Sequence, residues 1–376
     1  MDFFVRILEN ITWQNLVMIG VGAFLLYLAI EKGFEPNLLL PMGFGTILVN
    51  LPLSSALDQM AGSQVVEGAL SMLFRMGIAT ELLPLFILIA VGAMCDFGPL
   101  LANPKVFIFG LTAQAGIFLT MGIALLIGFN IHEAASIGII GAADGPTSIY
   151  VASRFAPHLL GPISVAAYTY MAIVPLIQPP VILALTTKKE RKMKMPPATK
   201  LVTRRARFLF PIIVTVVGGL IAPASVSLLG FVMFGNLLRE SGVTERLSQA
   251  AQNELANIVT IFLGFSIAAT MTGDKFVNIN TLMIIAMGLV AFVLDTAGGV
   301  LTAKFLNLFL PEKKKVNPMV GAAGISAFPM SARTIQKMGQ KADPSNFLLM
   351  HAIGANVAGQ IGSVLAGGLL LAYLGG

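Results

Sequence analysis

The chain has 376 residues, of which 56% are hydrophobic and only 11% charged, against roughly 25% charged in ordinary soluble domains. No soluble interior hides that much apolar surface, so lipid must face part of it; a soluble enzyme, a disordered protein and a nucleic-acid binder are excluded. The net charge of +6 is then a basic excess of the kind found in cytoplasmic loops.

The start, MDFFVRILEN, mixes charges of both signs and lacks a basic n-region, so no cleavable signal peptide is expected. The strongest spans are residues 106–131, 157–187, 208–238 and 347–376. Weaker or shorter ones are 17–30, 36–57, 82–94 and 276–310. About 20 residues cross ~30 Å of hydrocarbon, so 208–238 is too long for one simple span. It is interrupted by Ala222-Pro223-Ala224-Ser225 and reads as two short segments.

Two apolar stretches are hostile to a continuous helix. GIIGAADGPTSIY (138–150) and NPMVGAAGISAFPMSAR (317–333) are dense in Gly, Ala and Pro with polar groups in the middle. Arms of about ten residues reach ~15 Å, half a bilayer. Each therefore predicts a re-entrant hairpin or a helix broken near the midplane, tolerated only inside protein or beside a cavity.

The richest basic loop, 186–207, belongs in the cytoplasm. If each broken segment returns to its side of entry, Lys32, Lys105, Lys313, Lys314, Lys315, Arg333, Lys337 and Lys341 fall inside as well. Both termini fall outside, with Arg6, Arg75, Arg154 and Lys275 as an outer minority.

The halves echo each other. Glu81-LLPLFILIAVGAMC-Asp96 resembles Glu254-LANIVTIFLGFSIAATMTG-Asp274; Gly141-Ala142-Ala143 resembles Gly321-Ala322-Ala323; Pro41–Gly45 is weakly like Phe231–Gly235. The expected organisation is a first membrane repeat at 1–187, a basic cytoplasmic linker at 188–207 and a second, inverted repeat at 208–376. Inverted repeats with paired broken helices are the pattern of secondary transporters, with the site where the breaks meet. The predicted fold class is thus an all-α polytopic membrane protein.

Asp144 stands out within this plan. It lies in a broken segment without Lys or Arg, and an intramembrane carboxylate costs at least ~2.5–3.5 kcal/mol. It reads as a cation ligand or proton acceptor, and it can at the same time cap the backbone after the break. Gly145 and Pro146 free carbonyls beside it, and Thr147 and Ser148 add hydroxyls. On the second break Asn317, Ser326 and the carbonyls near Gly321 offer neutral oxygens. Asn356 and Tyr170, in continuous spans, read individually as interhelical hydrogen-bonding groups. As a set these are oxygen ligands around one acid, which suits Na⁺ or H⁺.

Other polar residues are less specific. Asp295 is a second intramembrane acid, with functional and structural readings even, and Lys304 can snorkel away from it. Asp96 and Asp274 read as interfacial. Arg333 is either one more inside-positive residue or an anion clamp, since its planar fork matches a carboxylate. A single cysteine, Cys95, and three scattered histidines, His132, His158 and His351, give no disulfide framework and no metal cluster. No Walker pattern is present, so ATP does not drive this chain.

GFGTILVNLP, VGAMCDFGPLLANP, IGIIGAADGPTSIY, AAYTYMAIVPLIQPP, FGNLLRESGVTERLS, NIVTIFLG, NPMVGAAGISAFPMSAR and NFLLMHAIGANVAG together resemble the β subunits of the sodium-translocating carboxylic-acid decarboxylases, in order and over nearly the whole chain. The resemblance implies an elevator-like transporter fold in the bacterial cytoplasmic membrane. It implies decarboxylation of carboxybiotin coupled to Na⁺ export, with a proton consumed. The implied cofactors are Na⁺ and biotin, the latter on a partner carrier protein. The implied partners are that carrier, a carboxyltransferase subunit, a small single-span membrane subunit and further copies of this chain in a homotrimer. Carried onto this sequence, the family's ion-binding residues are Asp144, Tyr170, Asn317, Gly321, Ser326 and Asn356. Tyr170 also relays the proton, and Arg333 holds the carboxybiotin carboxylate. Some members read Gly-Pro-Asn where this chain reads Gly354-Ala355-Asn356. The competing class is a stand-alone Na⁺-coupled transporter of a small anion.

Overall fold

The computed structural model describes residues 10–61, 64–196 and 202–375; Arg6, placed outside above, and part of the basic linker lie beyond them. Helices of seven or more residues, in chain order, are α1 Trp13–Ile30, α2 Pro36–Asn50, α3 Ala69–Gly77, α4 Leu82–Met94, α5 Phe107–Ala113, α6 Ala115–Ile127, α7 Ile131–Gly138 and α8 Gly145–Phe155. They continue as α9 Leu160–Ala172, α10 Val174–Leu185, α11 Arg204–Ile221, α12 Val226–Glu240, α13 Ala256–Ala268, α14 Ile279–Phe309, α15 Met330–Ala342 and α16 Leu349–Leu374. One antiparallel ribbon, Gln59–Ala61 with Gln64–Val66, departs from the all-α expectation; it occupies the α2–α3 connection.

Among the described residues, four helical stretches are long and apolar enough to cross a membrane: Trp13–Ile30, Pro104–Ile127, Ile279–Phe309 and Leu349–Leu374. Two bent pairs, α3 with α4 at 63° and the Pro157–Ala172 stretch with α10 at 70°, pass the same test jointly. The second pair corrects the expected continuous span 157–187: Ile173 ends α9, and Pro175 opens α10 at a position where a missing N–H costs nothing. The 276–310 stretch, weak by sequence because it holds Asp295 and Lys304, is the 31-residue α14. The 208–238 stretch is two packed helices, α11 and α12, joined by a turn at Pro223–Ser225.

Large apolar side chains such as Leu126 on α6 and Leu220 on α11 point outward at 89% and 80% exposure, as on a lipid-facing wall. Inside, helices meet through small residues. α4 packs on α12 and α13 packs on α2. Gly92 lies against the Val232 carbonyl and Gly235 against that of Ile89, so a Cβ at either would overlap backbone. Such contact is how apolar helices gain packing where water gives no hydrophobic drive. The same contact recurs in the other pair: Gly264 of α13 lies on Pro41 and Leu38 of α2, and Gly45 of α2 on Phe265 and Ala268 of α13.

Charges separate to two ends. At one, Lys194 pairs with Asp343 at 3.3 Å, Lys304 with Glu190 at 3.3 Å and Arg207 with Glu240 at 3.9 Å. At the other, Arg75 pairs with Asp58 at 2.7 Å, Arg154 with Glu81 at 2.5 Å and His158 with Glu133 at 2.9 Å. The 26-residue α16 connects them, from His351 at the first end to the Leu374 carbonyl beside His132 at the second.

Candidate functional site

The first break is built by local chemistry. Asn130 caps α7 through a capping box with Glu133. The helix tightens to a 3₁₀ turn at Ile139–Ala142, and Ala143 takes a left-handed φ of 53°. Asp144 then runs extended and becomes the N-cap of α8, with Gly145 and Pro146 as its first residues. Its Oδ1 accepts the Thr147 N–H at 3.2 Å. Its Oδ2 accepts the Thr147 hydroxyl at 2.7 Å and the Ser363 hydroxyl of α16, also at 2.7 Å. The carboxyl is 3% exposed. The backbone cap foreseen for Asp144 is formed by the same carboxyl that stands as the intramembrane acid.

The second break meets the first directly. After the short helix Pro318–Ala322 the chain is irregular to Pro329, and the Ser326 N–H donates to the Ala142 carbonyl at 2.9 Å. The carbonyl freed by the first break is therefore used to hold the second. The Ser326 hydroxyl donates to the Gly359 carbonyl at 2.8 Å.

α16 fixes the rest. Asn356, Gln360 and Ser363 follow one another at helical spacing on one face. The Asn356 amide donates to the Ile325 carbonyl at 2.6 Å, and the Gln360 amide donates to the Ser326 carbonyl. Both N–H₂ groups are thus spent on the second break. The opposite atoms, Asn356 Oδ1 and Gln360 Oε1, are buried and accept no hydrogen bond, as is the Tyr168 hydroxyl. Tyr168 stacks on Gly145, where a Cβ would overlap its ring.

A cavity of about 320 Å³ reaches this point. Its deep wall includes Asp144, Tyr168, Ser326, Phe328 and Gln360, and its rim includes Asn37, Asn253 and Asn257. The rim lies by the end of α4 at Met94, whose carbonyl is held by Arg239, a residue of the Asp96–Glu240 charge cluster. The cavity therefore opens towards the end that carries the basic linker. One acid, hydroxyls and orphaned amide oxygens form a hard oxygen set fit for a small monovalent cation.

The residues named from sequence divide. Asp144, Ser326 and Asn356 come together here. Asn317 stands elsewhere: it caps Pro318–Ala322, and its amide donates to the Arg191 and Met193 carbonyls at 3.1 and 2.8 Å, clasping the linker. Gly321 makes its close approach to Gly299 of α14. Tyr170 faces the opposite side of α9, its hydroxyl donating to the Ile285 carbonyl beside an apolar cavity shared with α1. Arg333 is exposed on α15, and its side chain joins no ion pair among the described residues. Ser148 spends its hydroxyl on the Asp144 carbonyl at 2.8 Å. Sequence reasoning missed Tyr168, Gln360 and Ser363; the last two carried a signal, the spacing from Asn356 along one helix.

Outside the chain, residues 14–374 match the family model of the Na⁺-transporting oxaloacetate decarboxylase beta subunit. The glutaconyl-CoA decarboxylase subunit beta of Acidaminococcus fermentans is 52% identical over 365 residues, covering 97% of this chain and 94% of that one. The methylmalonyl-CoA decarboxylase subunit beta of Veillonella parvula is 51% identical, covering 96% and 94%. The oxaloacetate decarboxylase beta chain of Klebsiella pneumoniae is 46% identical, covering 95% and 94%. With a match that runs almost from end to end, an apolar helical body and an acid held at the meeting of two breaks, this chain belongs to the family of beta subunits of Na⁺-transporting decarboxylases.

Proposed function

We propose that this subunit decarboxylates carboxybiotin presented by a partner carrier protein and couples that step to Na⁺ export across a bacterial cytoplasmic membrane. The N–CO₂ bond breaks, CO₂ leaves, and a proton replaces it on the ring nitrogen. A separate carboxyltransferase chooses the acid and loads the biotin. A small single-span subunit and a homotrimer of this chain complete the assembly. The observation that carries the reading is the Asp144 carboxyl on the wall of a cavity that it shares with Gln360, whose side-chain oxygen is unpaired, as is that of Asn356 one helical turn away. Na⁺ entering by the cavity would be held by Asp144, Asn356 and Gln360, with the Ser326 segment as their frame. Arg333, whose exposed side chain joins no ion pair among the described residues, is the group to meet the carboxylate of carboxybiotin. Asn317, Gly321 and Tyr170 act on this site through the linker, α14 and α9 rather than as ligands in this conformation.

The two-repeat organisation, divided by the linker at 188–207, is part of the same proposal. It is supported by the reciprocal packing: the blocks that pair α4 with α13 and α2 with α12 predict that an α4–α12 contact recurs as α13–α2, and the glycine contacts recur with it. Two such repeats in opposite orientation suit an elevator-like motion of the broken segments.

The test is carried out in sealed vesicles with the carrier outside, facing the basic end of the protein. Na⁺ should accumulate inside as CO₂ is released. Moving one charge against 100 mV costs about 2.3 kcal/mol, so an ionophore that collapses the gradient and the potential should speed CO₂ release. A stand-alone Na⁺-anion transporter would move Na⁺ without carboxybiotin and release no CO₂. Decarboxylation indifferent to gradient, potential and ionophore would reject the coupling.

A further inference from the structure

α14 carries a second acid that the site above does not use. Asp295 sits in the middle of this 31-residue helix, roughly 20 Å of helix from either end. Its side chain is wholly buried, and neither carboxyl oxygen has a hydrogen-bond partner of ordinary geometry. The polar groups beside it are the backbone N–H groups of Gly116 and Ile117, in the first turn of α6.

Among the described residues no cation balances it. Lys304, on the same helix, reaches away to the Leu185 carbonyl at 3.0 Å and to Glu190 at 3.3 Å. The elements packed on α14 are α5, α6, the turn Ile139–Ala142, α7, α9, α10 and the Pro318–Ala322 helix. Among their described residues no Lys, Arg, Asp or Glu faces the carboxyl. His132 and Glu133 of α7 lie at the far end, bonded to Leu374 and His158. Tyr170 of α9 lies against Gly288, nearly two turns away. What meets the carboxyl is glycine: a methyl on Gly116 would collide with Oδ1, and one on Gly141 with Oδ2. Two backbones have been cleared to admit this one side chain.

The pocket is suited to both states of the acid. A bare carboxylate at that depth, without a cation, costs at least ~2.5–3.5 kcal/mol, which favours the neutral acid. The first-turn N–H groups of a helix favour the anion. Which state holds depends on how closely those groups and the Gly141 turn enclose the carboxyl. That turn leads, three residues on, to Asp144, and its Ala142 carbonyl holds Ser326. Any movement of the two breaks alters the walls around Asp295.

We propose that Asp295 is a proton-binding site of the transport cycle, neutral in the conformation described and ionised when the Asp144 break moves. On release the O–H bond breaks and the carboxylate accepts the Gly116 N–H, with the Ile117 N–H, which also donates to the Gln114 carbonyl at 3.1 Å, as a shared second donor. The proton leaves to water entering with the moved break. The proposal rests on the coupling reading above, because it needs a cycle in which the breaks move.

The experiment is infrared difference spectroscopy on the full-length protein at neutral pH, without carrier or carboxybiotin. Wild type should show a protonated-carboxyl C=O band, shifted in D₂O, that is absent from Asp295→Asn and diminished by Na⁺. Asp295→Asn keeps the volume and an acceptor for the N–H groups, so it should assemble. Gly141→Ala, which crowds Oδ2, should shift the same band and provides an independent variant. A wild-type spectrum without the band, or a band that persists in Asp295→Asn or ignores Na⁺, overturns the proposal. Because no carboxybiotin is used, such a failure leaves the coupling reading standing. Loss of carboxybiotin-driven Na⁺ movement with the Na⁺-sensitive band intact would do the reverse.

Discussion

The two broken segments have the same outline and opposite contents. The first holds the only acid of the pair and satisfies it largely by itself, through the Thr147 N–H and hydroxyl, with Ser363 added from α16. The second holds no acid, and its contribution is backbone: the Ile325 and Ser326 carbonyls take the Asn356 and Gln360 amide hydrogens. That backbone decides which way those amides face, and so leaves their oxygens unpaired. Charge is concentrated on one break, and orientation is supplied by the other. A buried polar atom left without a partner costs about 1–3 kcal/mol, and under the proposed function a cation bound at these orphaned oxygens would offset that cost.

Asp144→Asn is the largest test of that division. The amide keeps the volume but removes the one formal charge at the meeting point, so Na⁺ uptake into vesicles and Na⁺-dependent CO₂ release should both be abolished while the protein still inserts. Full turnover with tight coupling would place the ion elsewhere.

Gln360→Leu tests the orienting half. It removes one orphaned oxygen and releases one of the bonds on the Ser326 carbonyl, which keeps the Phe328 N–H at 2.6 Å. A loss of about 1–3 kcal/mol corresponds to roughly a 5- to 150-fold rise in the Na⁺ concentration for half-maximal turnover. An unchanged Na⁺ dependence would confine the site to the first break. Ser363→Ala should be milder, because Thr147 still serves the carboxylate. Removing one such bond is worth about 1 kcal/mol, and a Na⁺-titration that moves by less than twofold would mean that the α16 link is incidental.

How far sequence reached follows the same division. The first break was legible because a carboxylate beside Gly-Pro in an apolar run has few explanations. Ser326 and Asn356 were legible as polar residues in apolar surroundings. Tyr168 was not, because two tyrosines two residues apart on α9 face opposite sides, and only the packing of α9 on α14 decides which meets Asp144. The cap at Asn317 was not legible because an N-cap and a ligand have the same side chain: its oxygen takes the Met319 N–H at 3.0 Å. The bend at Ile173 was hidden because Val174-Pro175 is also compatible with an unbroken apolar run. α14 was underrated since hydropathy penalises Asp295 and Lys304 without knowing that one is buried and the other reaches the helix's end.

The smallest expected effect lies far from both breaks. The Ser345 hydroxyl and N–H, with Lys194 beside them, hold the Asp343 carboxyl down at about 2. A depressed carboxylate adds stability above its ordinary range and loses it as pH falls through its folded value. Between pH 5 and 8 the group should therefore be uniformly charged, and Asp343→Asn should shift the melting temperature slightly and equally across that window. A shift that grows with falling pH inside the window would show that this carboxyl titrates there.

Asn317 and Asn346 grip the same two carbonyls, those of Arg191 and Met193, from different segments of the second half. The chain that leaves α10 is thus fastened to its partner half before it has crossed to α11. Contacts other than covalent continuity beyond Met193 therefore also hold the halves together. Two polypeptides, divided between Met195 and Val202 and produced in the same cell, have the means to find one another and rebuild the pump as a two-piece machine.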